Sequence, residues 1–288
     1  MKVLIVGHTG FIGNKLSEYL FKENHTLYGL STKTSEKEYF CSQIKIDLLK
    51  ICNNNMKILS NRIDFQKLDL VINCASILAN NRNLNSMDLL YKNLKVTENL
   101  IRLLKIFNPK KLINLSSMAV YPDIQGKFCE KSLVYVGNNR EGLYGLSKFC
   151  SENIFDFYLS NNIKTLHLRV SQVYGKNMNK DQVYSKMKKE LSEKNYISVL
   201  GLGKRVSNFI EISKLCEIIN NFIKKPDLTG VFNVGDKNIS YKDLAKLIIK
   251  KYGNVKSKFI LMEKGKKYKF VLCLDKLNSL NFKEKQKY

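Results

Sequence analysis

The order of elements along this 288-residue chain predicts an α/β fold built on a doubly wound parallel sheet. Three observations carry that reading. A short apolar run, Val3 to Val6, ends on a glycine loop and passes into a helical pattern. Apolar runs of strand length then alternate with helical periodicities as far as Val170, and parallel strands need crossover helices of this kind. The long helical stretch from Ser86 to Phe107 stops ahead of Pro109, where the proline disfavours a further helical residue.

Val3 to Val6 has no polar alternation, which suits a strand covered on both faces. The helix after the loop sets Ile12, Leu16, Tyr19 and Leu20 on one face. Thr26 to Leu30, Gln43 to Ile46 and Leu68 to Asn73 read as the second, third and fourth strands. Ser86 to Phe107 repeats Leu89, Leu90, Leu94, Val96, Leu100, Ile101 and Leu104 at helical spacing. A fifth strand is expected at Lys111 to Leu115, a helix at Tyr144 to Leu159 and a sixth strand at Thr165 to Val170. Beyond that the alternation loosens, with Gly175, Gly201 and Gly203 breaking it, helices at Asp181 to Leu191 and Tyr241 to Tyr252, and a strand at Val231 to Val234. We therefore expect a sheet domain over 1–170, joined by 206–225, and a smaller lobe made mostly of 171–288, interleaved rather than tethered because only three prolines and no low-complexity linker occur.

With 44% hydrophobic and 26% charged residues, the composition is that of a globular protein. No apolar stretch reaches the ~18 residues of a membrane span, and the opening apolar run breaks at Gly7, too short for the core of a signal peptide. A cytoplasmic location with no membrane partner is expected. The seven cysteines are scattered, odd in number and without a C-x-x-C, so neither disulfides nor structural zinc is indicated. The net charge of +24 invites a nucleic-acid reading, but only six of the 49 basic residues are arginine, and the 43 lysines run the whole length without a strong block. Nucleic-acid surfaces cluster their charge and favour arginine forks, so the lysine excess reads as a compositional habit whose field attracts small anions.

Gly7, Gly10 and Gly13 stand directly between a strand and a helix, where they permit a tight turn and close approach of backbone to a pyrophosphate. In this Rossmann-like order the loop predicts a nicotinamide dinucleotide. His8 lies in the loop, but with only His25 and His167 elsewhere there is no metal constellation and no metal is expected. At the end of the second strand, where an acid would favour NAD, the chain has Ser31-Thr32-Lys33. Hydroxyls and a cation suit a 2′-phosphate and favour NADP slightly, while Ser31 would also serve a plain ribose. Tyr144 and Lys148, four residues apart on one helix face, form a phenol–ammonium pair in which the charge would bring the tyrosine pKa toward the working range of a general acid/base. Asn114 to Tyr121 leaves a strand at its carboxyl end, and a hydroxyl there would hold a substrate oxygen beside Tyr144.

Together these segments resemble the extended short-chain dehydrogenase/reductases, the nucleotide-sugar epimerase/dehydratase family. The likeness runs almost end to end: the Gly7 to Gly13 loop with Thr9, Phe11 and Ile12, Asp47-Leu48, Asn73-Cys74-Ala75-Ser76, Asn93 on the long helix, Ser117 with Tyr144 and Lys148, Leu168-Arg169-Val170, Val173-Tyr174-Gly175 and Phe232-Asn233-Val234-Gly235. The resemblance implies that Ser117, not Ser116, is the catalytic hydroxyl, because it stands four residues before Tyr121. It further implies dinucleotide contacts from Asp47, Leu48, Cys74, Ala75, Ser76, Asn93, Lys148 and Val170, and substrate contacts from Ser117, Met118, Gln172 and Arg205. Arg205 is displaced from the position some subfamilies use, leaving a diphosphate ligand and a surface residue as open alternatives. Dehydratases of this family carry an acidic pair after the hydroxyl where this chain has Met118-Ala119, so dehydration is disfavoured. The implied chemistry is hydride transfer at a ring carbon, most often C4, of a nucleotide sugar, as dehydrogenase, ketoreductase or epimerase. A non-catalytic dinucleotide-binding regulator or scaffold is the alternative. The family also implies a homodimer through the helices at Ser86 to Phe107 and Tyr144 to Leu159, with Phe149, Ile154, Phe155 and Tyr158 as candidate apolar surface.

Overall fold

The computed structural model describes residues 1–61 and 67–282. Its centre is a parallel seven-stranded sheet of β1 (Lys2–Val6), β2 (Thr26–Ser31), β3 (Phe40–Lys45), β4 (Leu70–Asn73), β5 (Lys111–Ser117), β7 (Lys164–Val170) and β11 (Gly230–Val234). The spatial order is β11-β7-β5-β4-β1-β2-β3, so the direction of winding reverses between β1 and β4. Ligands of open α/β sheets bind outside the carboxyl ends of the strands at such a reversal.

Both faces of the sheet are covered, which is why β1 and β4 each hold an apolar run without alternation, Val3 to Val6 and Leu70 to Ile72. On one face α1 (Phe11–Lys22) and α6 (Ile212–Ile223) pack Leu16, Leu20, Leu215, Ile219 and Phe222 against Ile5, Ile72 and Ile113. The other face carries α2 (Asn53–Ser60), α3 (Met87–Phe107) and α4 (Gly142–Leu159), whose Val96, Leu100, Leu104, Phe155 and Leu159 meet Leu4, Val71 and Leu112. Helix α3 starts on the Ser86 side chain, which accepts from the Asp88 amide, and ends on Asn108 in the left-handed conformation at φ 43°.

A smaller lobe holds its own core, where α5 (Val183–Lys194) and α7 (Tyr241–Tyr252) pack Tyr184, Met187, Leu191, Leu244 and Ile248 on β9 (Tyr196–Val199). Short sheets complete it: β8 (Gln172–Tyr174) with β10 (Val206–Glu211) and β12 (Lys237–Ser240), β9 with β13 (Lys258–Leu261), and β6 (Gly126–Phe128) with β14 (Phe270–Leu272). A short α8 (Asp275–Asn278) follows.

Two sequence expectations need correction here. Val231 to Val234, expected in the smaller lobe, forms the outer strand of the large sheet, pairing with His167 to Val170. The strand is apolar but for Asn233, which is buried at 0% exposure and spends its side chain on internal hydrogen bonds; what its sequence does not show is the distant partner strand. Phe155, offered as dimer surface, is fully buried beneath the sheet, whereas Tyr158 is exposed. Lesser shifts are the third strand, which begins at Phe40, and the fifth, which continues to Ser117.

Candidate active site

The glycine loop lies at the winding reversal. Gly7 adopts φ +81°, and a side chain there would press on the backbone of Ala75 after β4, so the loop and the β4 exit are in direct contact. Gly10 is the N-cap of helix α1 and, having no side chain, leaves the first-turn amides without a side-chain cap. Uncapped amides at a helix start, with the dipole behind them, are a receptor for a phosphate. The donor set therefore fits the pyrophosphate of a dinucleotide. Thr9, Phe11 and Ile12 are half-buried around it. His8 is structural: its ring is buried against Gly29 with Nε2 2.9 Å from Gln43 Oε1.

At the end of β2, Ser31 Oγ and Thr9 Oγ1 share a 2.7 Å hydrogen bond, tying that strand to the glycine loop, while Thr32 and Lys33 are exposed. Asp47 and Leu48 form the turn after β3: the Asp47 carboxylate accepts from the Leu49 amide at 3.0 Å, and the Leu48 carbonyl accepts from Asn99 Nδ2 at 2.6 Å. Asn93 braces the loop after β4. Its Oδ1 accepts from the Ile77 amide at 2.8 Å and from Ser76 Oγ at 3.2 Å, and its Nδ2 donates to the Ile77 carbonyl at 3.0 Å. Asn93 therefore positions Ser76 and Ile77, while the Ala75 amide donates to Asn73 Oδ1 at 3.1 Å. The Cys74 thiol, half-buried beside Lys148, is pushed up to about 12 by desolvation, so it is a neutral wall.

Alternation along β5 sends neighbouring serines in opposite directions. Ser116 is buried and donates to Glu152, while Ser117 stands at the carboxyl edge of the sheet and its Oγ accepts from the Ala119 amide at 3.1 Å. Helix α4 approaches this turn so closely that a side chain at Gly145 would collide with the Ala119 carbonyl. That approach sets Tyr144 against Ala119, Leu89 and Ile77. Lys148 is buried one turn on, its Nζ donating to the Leu115 carbonyl at 2.9 Å and standing 5.8 Å from the Tyr144 ring centroid.

The electrostatics depart from the sequence expectation. Burial, followed by the nearby Glu141 carboxylate, holds the Tyr144 phenol above its ordinary range, and a hydrogen bond with Ser76 only partly offsets this. Lys148 does not counter the shift, because burial lowers its own pKa to about 8. Desolvation thus outweighs the ion–phenolate attraction in the unliganded protein. Glu141 was not anticipated, although its place three residues before Tyr144 on the same helix entry was a usable signal.

A buried polar network behind the site was also missed as a unit. Arg169 Nη2 and Glu152 Oε2 lie 2.7 Å apart with both side chains 4% exposed, and Arg169 Nη1 donates to the Tyr121 hydroxyl at 3.0 Å. Tyr121 in turn donates to Asn233 Oδ1 at 2.8 Å, linking β7, α4, the turn after Ser117 and β11. The spacing Tyr144, Lys148, Glu152 is a second step of four on the same helix face, so the sequence did hold the sign.

Val170, expected at the dinucleotide, ends β7; of the residues expected at the substrate, Gln172 donates from Nε2 to Ser207 Oγ at 2.9 Å and Met118 is half-buried against the Tyr121 and Phe128 cluster. Arg205 is neither a free surface residue nor an open ligand. Its guanidinium meets Asp123 at 3.1 Å between the rings of Tyr241 and Tyr268, 5.2 and 5.4 Å away, and Lys266 reaches the same Asp123 at 2.9 Å. Among the described residues no group of three metal-binding side chains occurs, and no helix is long and apolar enough to cross a membrane.

Residues 3–235 match the profile of the NAD-dependent epimerase/dehydratase family. The chain belongs to that family. Among curated proteins it is 26% identical to dTDP-D-glucose 4,6-dehydratase of Dictyostelium discoideum, over 86% of this chain and 61% of that protein's length. It is 28% identical to GDP-6-deoxy-D-talose 4-dehydrogenase of Aggregatibacter actinomycetemcomitans, over 78% of this chain and 71% of the relative. Among solved structures, UDP-glucuronic acid 4-epimerase of Bacillus cereus with UDP-glucuronic acid and NAD superposes with a TM-score of 0.80 at 21% identity, covering 100% of this chain and 95% of that one, a likeness of fold. The family match extends from β1 to the Gly235 turn, and so takes in the glycine loop, Asn93, Ser117, Tyr144, Lys148 and the Arg169 network.

Proposed function

We propose that the protein is a cytoplasmic NAD(P)-dependent enzyme that transfers hydride to or from a ring carbon, C4, of a nucleotide-activated sugar, as a dehydrogenase, ketoreductase or epimerase. The observation that carries this is the meeting of Ser117, Tyr144 and Lys148 at the carboxyl edge of the sheet, beside the uncapped start of α1. A binding module would need the loop but not the buried phenol and ammonium.

The dinucleotide supplies the hydride acceptor or donor. Tyr144 gives or takes the proton of the sugar hydroxyl, Ser117 orients that oxygen and Lys148 holds the nicotinamide ribose. Residues 1–170 with 206–225 serve the dinucleotide, and the remainder of 171–288, with Gln172 and Arg205, serves the sugar nucleotide. Arg205 would release part of its hold on Asp123 to meet a diphosphate. NADP stays slightly ahead of NAD on Thr32 and Lys33, with Ser31 able to meet a bare ribose. The seven cysteines are all free thiols, in keeping with a reducing compartment. Exposed Tyr91 on α3 and Phe157 and Tyr158 on α4 support a homodimer across these two helices.

The likeness to a 4,6-dehydratase raises elimination as a second reading. Met118 and Ala119 stand against it, since neither can remove or deliver the proton that loss of water requires. Incubating the protein with a panel of UDP-, dTDP- and GDP-sugars and following the sugar carbons by NMR tests the proposal. Interconversion or redox change at C4 supports it, whereas a 4-keto-6-deoxy product returns the dehydratase reading.

A further inference from the structure

The segment 241–269 stands apart from the rest of the molecule. It carries ten lysines against two acids, Asp243 and Glu263, which is a third of the net charge in a tenth of the chain. A lysine-rich composition explains part of that excess. It does not explain the second property of the same segment, its exposed apolar side chains: Leu247, Tyr252, Ile260, Leu261 and Met262 are about half exposed, and Val255 is completely so. Leu200, 54% exposed, joins them, because the Met262 carbonyl accepts from the Leu202 amide and the chain at Gly265 rests on Leu200.

These groups sit on one structural unit. Helix α7 buries Leu244, Ala245 and Ile248 and turns Lys246, Leu247, Lys250 and Lys251 outward. The following loop carries Val255 and Lys256 at its tip, and β13 pairs with β9 along one edge. Lys258 is the kind of charge that protects such an edge from further pairing. Edge protection does not require Val255 in open solvent. Three of the ten lysines are used locally, Lys246 with Asp243, Lys266 with Asp123 and Lys267 with Glu263; the other seven form no ion pair among the described residues.

Cations interleaved with exposed aliphatic side chains match a surface that is anionic in front and apolar behind. A second copy of this face would meet the same charge and be repelled. The segment has no arginine; of its four aromatic residues Tyr241 is buried, Phe259 and Tyr268 are half-buried and Tyr252 alone is exposed, which leaves no run of platforms for stacking on RNA bases. We propose that the α7–β13 face docks on a bilayer rich in anionic lipids, with Val255 and its apolar neighbours entering the interface and the lysines at the headgroups. This departs from the sequence expectation of no membrane partner, which rested on spanning segments alone.

The test is sedimentation of the full-length protein with phosphatidylcholine vesicles and with vesicles containing half phosphatidylglycerol, at about 0.1 M salt. The expected result is capture by the anionic vesicles and not by the neutral ones. Replacing Lys250, Lys251, Lys256 and Lys258 together by Glu should cut the captured fraction at least tenfold while leaving the circular dichroism and thermal midpoint unchanged. The chain has no tryptophan, so Val255→Trp supplies a lone reporter whose emission should move to the blue with anionic vesicles. Absence of capture overturns the proposal. So does capture without a blue shift, or retention by RNA or poly-glutamate in place of vesicles, which would reassign the face to a polyanion.

Discussion

The Lys148 ammonium donates to the carbonyl of Leu115 at 2.9 Å, so the lysine on α4 is fastened to the strand that delivers Ser117. The bond fixes the distance between two groups that come from different elements. It also places a cation where burial disfavours it.

That placement has a pH signature. Lys148, and Lys111 at the start of β5, are both lowered to about 8 by burial. Between pH 8 and the ordinary lysine value the unfolded chain binds more protons than the folded one, so stability rises with pH through that window. Below pH 8 both states are protonated and the penalty is constant. Lys148→Met should raise the unfolding free energy of the unliganded protein measured by urea titration at pH 7.5, by at most about 3 kcal/mol, with the gain shrinking toward pH 10. A gain independent of pH would mean the lysine costs packing rather than charge.

Tyr144→Phe should leave the fold and dinucleotide binding intact and lower turnover about a hundredfold or more, since only the proton-transfer group is lost. Ser117→Ala should be milder, because water can replace part of its hydrogen bond. Near-normal turnover by the phenylalanine variant rules out the mechanism.

Glu152→Gln should be among the most destabilising single changes. It strands the buried Arg169 and removes the charge that Ser116 also serves. Breaking a buried pair costs about 3–5 kcal/mol, so the calorimetric midpoint should fall by roughly 6 °C or more. The double variant Glu152→Gln/Arg169→Met should recover much of the loss, as the uncompensated charge is gone. No recovery would show that packing, not charge, is at stake.

Replacing Ser31 by Asp should swing preference toward NAD by roughly ten- to a hundredfold, the worth of about 1.5–3 kcal/mol in charge-assisted hydrogen bonding. The change also severs the hydroxyl pair with Thr9, so dinucleotide affinities are the measurement to take, by calorimetry with each cofactor. Wild-type protein that already binds NAD(H) more tightly would mark Lys33 as an ordinary surface lysine.

Phe157→Glu should convert a dimer to a monomer by light scattering at micromolar concentration, as it places a charge in the exposed aromatic cluster with Tyr158. A wild-type monomer at that concentration excludes the α3–α4 dimer.

The large sheet was legible because buried parallel strands are continuous apolar runs and the helices between them keep their period. Val231 to Val234 was misplaced because sheet membership is a long-range fact: its partner β7 lies some sixty residues earlier. The glycine loop, Tyr144 and Lys148 were legible because their backbone demands and spacing are local, whereas the choice of Ser117 over Ser116 rested on the family resemblance. Asp123 on Arg205 was not legible, because no periodicity brings it across 82 residues to its partner, whereas Glu141, three residues before Tyr144, lay within reach of a local reading. The direction of the Tyr144 shift was misread for a related reason, since sequence shows a neighbouring cation but not how much water burial removes.

Asn233 Nδ2 donates both to the Phe128 carbonyl, at 3.2 Å, and to the Cys273 carbonyl, at 3.1 Å. One side chain thus joins three stretches that leave the ribosome at very different times. A nascent chain that has emerged only as far as Val234 can finish its large sheet and form the glycine loop, but β6 still lacks β14 and Asn233 still lacks the Cys273 carbonyl, the second of its two acceptors. Assembly of the large sheet should therefore precede completion of the smaller lobe during synthesis, and truncations between 240 and 270 should trap that half-built intermediate.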